Sequence, residues 1–141
     1  MTAPRLSAGV ITADLTKLGA ELEILRGTTA WAHVDVMDGA FCPQLTVGPA
    51  FVAAVASTGI PVDVHLMVEE PRRMLPDFAA AGVSVMTVHA EATRHLHRTM
   101  QEMTELAARR WKGWAPRAVG VVATAGAGSG AAADISSFSC T

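Results

Sequence analysis

No pair of cysteines in this chain stands at C-x-x-C spacing; Cys42 and Cys140 are single and far apart. That excludes a zinc ribbon and a small disulfide framework, and it is the cysteine usage of a reducing compartment. No apolar run approaches the roughly 18 residues that a membrane span requires. Gly, Pro or a charged residue interrupts each one first, and no basic segment at the N-terminus leads into a long apolar core. The chain therefore reads as cytoplasmic, with no membrane partner. An excess of either charge is also missing, since 11 Lys and Arg face 13 Asp and Glu. Arg109, Arg110, Trp111, Lys112, Trp114 and Arg117 do interleave basic and aromatic residues, as a binder of single-stranded nucleic acid would. With a net charge of -2 they read instead as a solvated or altered helix end, and no nucleic-acid partner is expected.

What is present suits one domain: 141 residues, half of them hydrophobic. Short β-type runs alternate with helical stretches, the pattern of βα units on a parallel sheet. The predicted strands are Leu6 to Ile11, Trp31 to Val36, Pro61 to His65, Val83 to Val88 and Arg117 to Val122. Between the first two, Thr12 stands where an N-cap belongs, and Leu15, Leu18, Leu22 and Leu25 recur at helical spacing. Gly48-Pro49 opens the second helix, because Pro suits a first turn. The third helix is predicted from Leu75-Pro76-Asp77 to Gly82. Thr93 marks the cap of the fourth, whose buried stripe is Leu96, Met100, Met103 and Ala107. From Ala123 to Ala133 the chain holds only Ala, Gly, Ser and Thr, with no side chain able to anchor a packed layer. The expected organisation is an α/β domain over residues 1–122 and a disordered, Ala/Gly-rich tail over 123–141.

The chemistry is concentrated at the ends of two strands. His33-Val34-Asp35-Val36-Met37-Asp38-Gly39 and Asp63-Val64-His65-Leu66-Met67 lie about thirty residues apart. Side chains alternate along a strand, so His33 and Asp35 share one face while Val34 and Val36 take the other. Asp63 and His65 share a face in the same way. Two imidazoles and a carboxylate form a borderline donor set suited to zinc, iron, manganese or cobalt, and the carboxylate can also move a proton. His89 and Glu91 alternate like a third inward pair, readable either as partners that orient a ligand imidazole or as interior filling. His95 and His97 fall on the polar side of their helix and read as surface residues. Asp38 and Gly39 fit a turn after the strand.

These segments resemble the ribulose-phosphate 3-epimerase family. The motifs H-V-D-V-M-D-G, D-V-H-L-M and V-H-A-E-A-T-x-H-L-H-R occur in order, and the resemblance runs from about Leu6 to about Leu106. It implies a partial (β/α)8 TIM barrel, about the first four to five βα units. It also implies a metal-dependent isomerase that interconverts D-ribulose 5-phosphate and D-xylulose 5-phosphate, or acts on a related ketose phosphate such as allulose 6-phosphate. By that resemblance His33, Asp35 and His65 hold one divalent cation, and Asp35 is one of two acid/base groups. Thr12, His65, Met37 and Met67 are expected to line the substrate, the methionines shielding an enediolate from water without hydrogen-bonding to it. A barrel decarboxylase would need a lysine between strand-end carboxylates, and Lys17 and Lys112 both lie elsewhere.

The departures from the family pattern are specific. Ala40 replaces a usual histidine, Gln44 a usual asparagine, and Ala8-Gly9 a Pro-Ser pair. A full barrel takes roughly 200 to 250 residues, and the phosphate-seating Gly-rich loops and the second catalytic aspartate have no convincing counterpart, Asp134 included. Three readings follow: an epimerase whose C-terminal part is shortened or altered, as a frameshift after about Arg110 would do; a half-barrel that pairs through its open sheet edge with another copy, as a homo-oligomer, or with another fragment; or an inactive metal-binding remnant.

Overall fold

The computed structural model describes residues 6–28, 30–110 and 119–122. Among these residues five strands alternate with four α-helices: β1 Ser7–Gly9, α1 Leu18–Glu23, β2 Trp31–Met37, α2 Pro49–Ala56, β3 Val62–Met67, α3 Leu75–Ala81, β4 Val85–His89, α4 Leu96–Arg110 and β5 Val119–Val122. All four neighbouring pairs are parallel, and the spatial order is the chain order, β1-β2-β3-β4-β5. A doubly wound sheet reverses its order partway. An order that never reverses, with right-handed crossovers, places every helix on the same face, which is the arrangement of a section of a (β/α) barrel.

Alternation along the strands builds the two faces. In β2 and β3, Ala32, Val34, Val62, Val64 and Leu66 are all fully buried on the helical side. There they meet Val52 and Val55 of α2, Leu75 and Phe78 of α3 and Met103 of α4 in one continuous core. The residues between them, His33, Asp35, Met37, Asp63, His65 and Met67, are half-buried on the opposite face. The register pairs His33 with Asp63, Asp35 with His65 and Met37 with Met67 across β2 and β3. The sheet thus converts a period-two sequence pattern into a polar patch near the C-terminal ends of its strands.

Local chemistry shifts several expected boundaries. β1 stops at Gly9 because the chain turns at Val10, whose carbonyl accepts from the Ala13 N–H at 3.1 Å. Thr12 is not the helix cap. Its hydroxyl donates to the Gly9 carbonyl at 3.2 Å, while the Asp14 carboxylate accepts from the Thr16 N–H at 3.0 Å and starts the 3₁₀ turn Leu15–Lys17 that leads into α1. A carboxylate accepts more strongly than a hydroxyl, and two positions ahead of an orphan N–H it is well placed to do so. Leu15 leaves the expected stripe and stands 50% exposed, whereas Leu22 is buried. Thr93 is likewise displaced from the cap. The first α4 bond runs from Thr99 N–H to the His95 carbonyl at 3.0 Å, and the Thr93 hydroxyl lies outside it, at 3.4 Å from the His95 nitrogen. Pro49 opens α2 as expected, and Gly82 closes α3 at φ 93°, a left-handed conformation that glycine adopts without steric cost, whereas β3 runs on to Met67 and β4 starts at Val85 and ends at His89, later than the expected His65, Val83 and Val88. Arg117, Trp111, Lys112, Trp114, Cys140 and the expected tail over 123–141 lie outside the described residues.

Among the described residues, Phe78 is the largest side chain that the core encloses completely. Truncation to Ala leaves a cavity beneath the sheet, so Phe78→Ala is expected to cost about 3 to 5 kcal/mol. Urea denaturation measures this loss; an unchanged midpoint would contradict the packing described.

Candidate metal centre

Three side chains on the patch converge on one point. One ligand atom from each of His33, Asp35 and His65 lies within 4.8 Å of the other two. Asp35 Oδ1 is 3.1 Å from His33 Nε2 and 3.1 Å from His65 Nδ1. The strand ladder explains the convergence: His33 and Asp35 are neighbours on one face of β2, and the register sets His65 directly beside Asp35. Two imidazole nitrogens and a carboxylate oxygen, each partly accessible, could hold a divalent cation.

The far edges of both imidazoles are also engaged. His33 Nδ1 lies 2.8 Å from Asp63 Oδ2, and the Ser7 hydroxyl donates to that same oxygen at 3.1 Å. A carboxylate behind a histidine fixes its ring and leaves the other nitrogen for a metal. His65 Nε2 lies 2.7 Å from His89 Nε2, and His89 Nδ1 lies 3.4 Å from Glu91 Oε1. His89 is 5% exposed and also packs against the ring of Phe41, with centroids 4.9 Å apart. His89 thus fills the interior, as one expectation had it, and it also lies against a candidate ligand. His95 and His97 are exposed, as expected.

Electrostatics follow from this packing. The hydrogen bond to Asp35, then that to Asp63, pushes His33 up to about 10, so the cation-free chain carries an imidazolium there at neutral pH. The same contacts, first with His33 and then with His65, hold the Asp35 carboxyl well below the usual carboxylate range. Burial, and then the neighbouring His65, pushes His89 down. Because His33 is raised, its contribution to the stability of the cation-free chain is complete below the ordinary histidine value. It is lost as pH climbs through about 10.

The loop after β2 is braced by residues whose importance the sequence did not disclose. The Thr46 hydroxyl donates to the Asp35 carbonyl at 2.8 Å and accepts from the Met37 N–H at 2.9 Å, pinning the backbone on either side of the patch. Asp38 accepts from the Ala40 and Phe41 N–H groups, both at 2.9 Å, and from the Glu69 N–H at 2.8 Å, tying the β2 loop to the β3 loop. The turn role expected of Asp38 is thereby extended to a cross-link. Met37 and Met67 are half-buried register partners on the donor face. Thr12 is exposed in the turn after β1. Asp63 is the clearest omission. Its place two residues before His65 was visible, but its partnership with His33 depends on strand register.

A parallel (β/α)-barrel section with a His-Asp-His donor set at its strand ends defines the class: a barrel with a metal-type site where barrel enzymes place their chemistry. The chain belongs to the ribulose-phosphate 3 epimerase family, whose model matches residues 5–116. It is 47% identical over 103 residues to ribulose-phosphate 3-epimerase of Bacillus subtilis (strain 168), covering 72% of this chain and 48% of that protein. It is 42% identical over 108 residues to the chloroplastic ribulose-5-phosphate-3-epimerase of Arabidopsis thaliana, covering 74% of this chain and 38% of that one. The Escherichia coli (strain K12) ribulose-phosphate 3-epimerase is 41% identical over 103 residues, covering 71% and 46% respectively. The chain spans about half the length of the curated relatives it matches. No helix among the described residues is long and apolar enough to cross a membrane.

Proposed function

We propose that residues 1–122 form the N-terminal part of a ribulose-phosphate 3-epimerase-type active site, which takes a ketose phosphate and moves the proton at its C3. The observation that carries this reading is the convergence of His33, Asp35 and His65 within 4.8 Å in a member of the epimerase family. His33 Nε2, Asp35 and His65 Nδ1 would hold the cation: zinc, iron, manganese or cobalt by the softness of the donors. When bound, such an ion supplies Lewis-acid stabilisation for oxygens that become negative as the C3 proton leaves.

The chain's own residues supply the rest. Asp35 takes the C3 proton on one face of the substrate and can return it. Met37 and Met67 cover that face with thioethers, which exclude water without competing for hydrogen bonds. Thr12 and His65 contact the sugar phosphate from the turn after β1 and from β3. D-ribulose 5-phosphate and D-xylulose 5-phosphate are the proposed substrate pair, on the names of the relatives. A cytoplasmic setting is proposed with it, and association of copies is supported by the sheet edges at β1 and β5 among the described residues.

Incubation with D-ribulose 5-phosphate in D2O, with and without added divalent cation, tests the reading. A base on one face predicts cation-dependent incorporation of deuterium at C3. Cation binding with no exchange would replace this proposal with metal binding without turnover.

A further inference from the structure

We infer that His89 and Glu91 are positioning residues that dictate which nitrogen of His65 meets the cation. The inference rests on the proposed cation site and concerns the layer behind it. An imidazole that binds a metal through Nδ1 must carry its proton on Nε2, and that N–H needs an acceptor when it is out of reach of water. His65 Nδ1 faces Asp35 at 3.1 Å, so its Nε2 is the edge turned inward. The group waiting there is His89 Nε2, at 2.7 Å. The ring planes differ by only 20°, and the nitrogen separation is far shorter than the 4.8 Å between centroids, so the two rings meet at their nitrogen edges.

A neutral imidazole accepts at one nitrogen only if its proton sits on the other. For His89 Nε2 to accept, Nδ1 must carry the hydrogen, and Nδ1 faces the Glu91 carboxylate at 3.4 Å. A carboxylate can only accept, so Glu91 favours that arrangement and opposes its reverse, in which two lone-pair-bearing atoms would face each other. The donors then run in one direction: His65 Nε2–H to His89 Nε2, and His89 Nδ1–H to Glu91. Phe41 against the ring and the burial of His89 restrict its rotation to another partner. Asp63 does for His33 in one step what His89 and Glu91 do for His65 in two. The choice of histidine over carboxylate behind His65 keeps the inner layer from gaining a further negative charge beside Asp35.

The test uses the full chain with Zn2+ alone as probe. In the Zn2+-loaded protein, two-bond 1H–15N spectra of the imidazoles are expected to show His65 protonated at Nε2 and His89 at Nδ1. Calorimetric titration should show His89→Leu binding Zn2+ about 10- to 100-fold more weakly. His89→Gln, whose amide oxygen can accept from His65, should stay close to the unsubstituted chain. Coordination of His65 through Nε2, undiminished affinity in His89→Leu, or equal loss in the Leu and Gln variants would each overturn the inference, the last by reducing His89 to packing. Failure of the unsubstituted chain to bind Zn2+ would sink the cation site and this inference together, whereas intact binding through His65 Nε2 sinks the inference alone.

Discussion

Asp35→Asn is expected to lower cation-dependent deuterium exchange at C3 of D-ribulose 5-phosphate by about 100- to 10,000-fold, the usual contribution of a positioned general base. The substitution is nearly isosteric, and the amide oxygen can still accept from His33 and His65, so the strand pairing around it should persist. An amide cannot take up the substrate proton at neutral pH. It is also a weaker donor to a cation than a carboxylate, so Zn2+ affinity should fall as well. Exchange measured at saturating Zn2+ separates the two effects: a rate restored by excess metal would assign Asp35 to binding alone. Full exchange in the variant would remove Asp35 from the proton transfer. Circular dichroism of both proteins checks that the comparison is between folded chains.

The second large effect concerns His33. His33→Ala deletes one of the three converging donors and should abolish stoichiometric retention of the cation, as read by elemental analysis after gel filtration. The unsubstituted chain has a pH signature of its own. Since the Asp35 and Asp63 contacts push His33 up to about 10, its Nε2 carries a proton at neutral pH that a metal must displace. The apparent affinity for Zn2+ is therefore expected to rise about tenfold per pH unit from neutrality towards 10, then level off. The direction follows from the cause: raising pH removes the competing proton from the donor nitrogen. Unchanged metal content in His33→Ala, or affinity that falls with rising pH over this range, would contradict the assignment.

Much of the fold could be read because it depends on periodicity. Val34 and Val36 alternating with His33 and Asp35 announced a two-faced strand, and Gly48-Pro49 and Gly82 punctuated helices by fixed backbone preferences. The donor trio was legible for the same reason, as both of its strands repeat with period two. What escaped was whatever depends on a distant partner. Asp63 acquires its role only when the register sets it beside His33, and Thr46 only when its loop folds back onto Asp35 and Met37. The caps at Thr12 and Thr93 failed differently. Each threonine is a good capping residue by type, but at the first helix the nearby Asp14 carboxylate competes for the first free N–H, and at α4 the helix begins closer to Leu96. His89 could be noted as inward-facing from spacing alone, whereas its contact with His65 needed coordinates.

The central claim is that three side chains from β2 and β3 jointly hold one cation. Anomalous diffraction from a crystal of the chain grown with Zn2+ tests it most directly. The account predicts one strong peak about 2.0 to 2.2 Å from His33 Nε2, an Asp35 oxygen and His65 Nδ1. A peak elsewhere on the chain with none between these three atoms would contradict it.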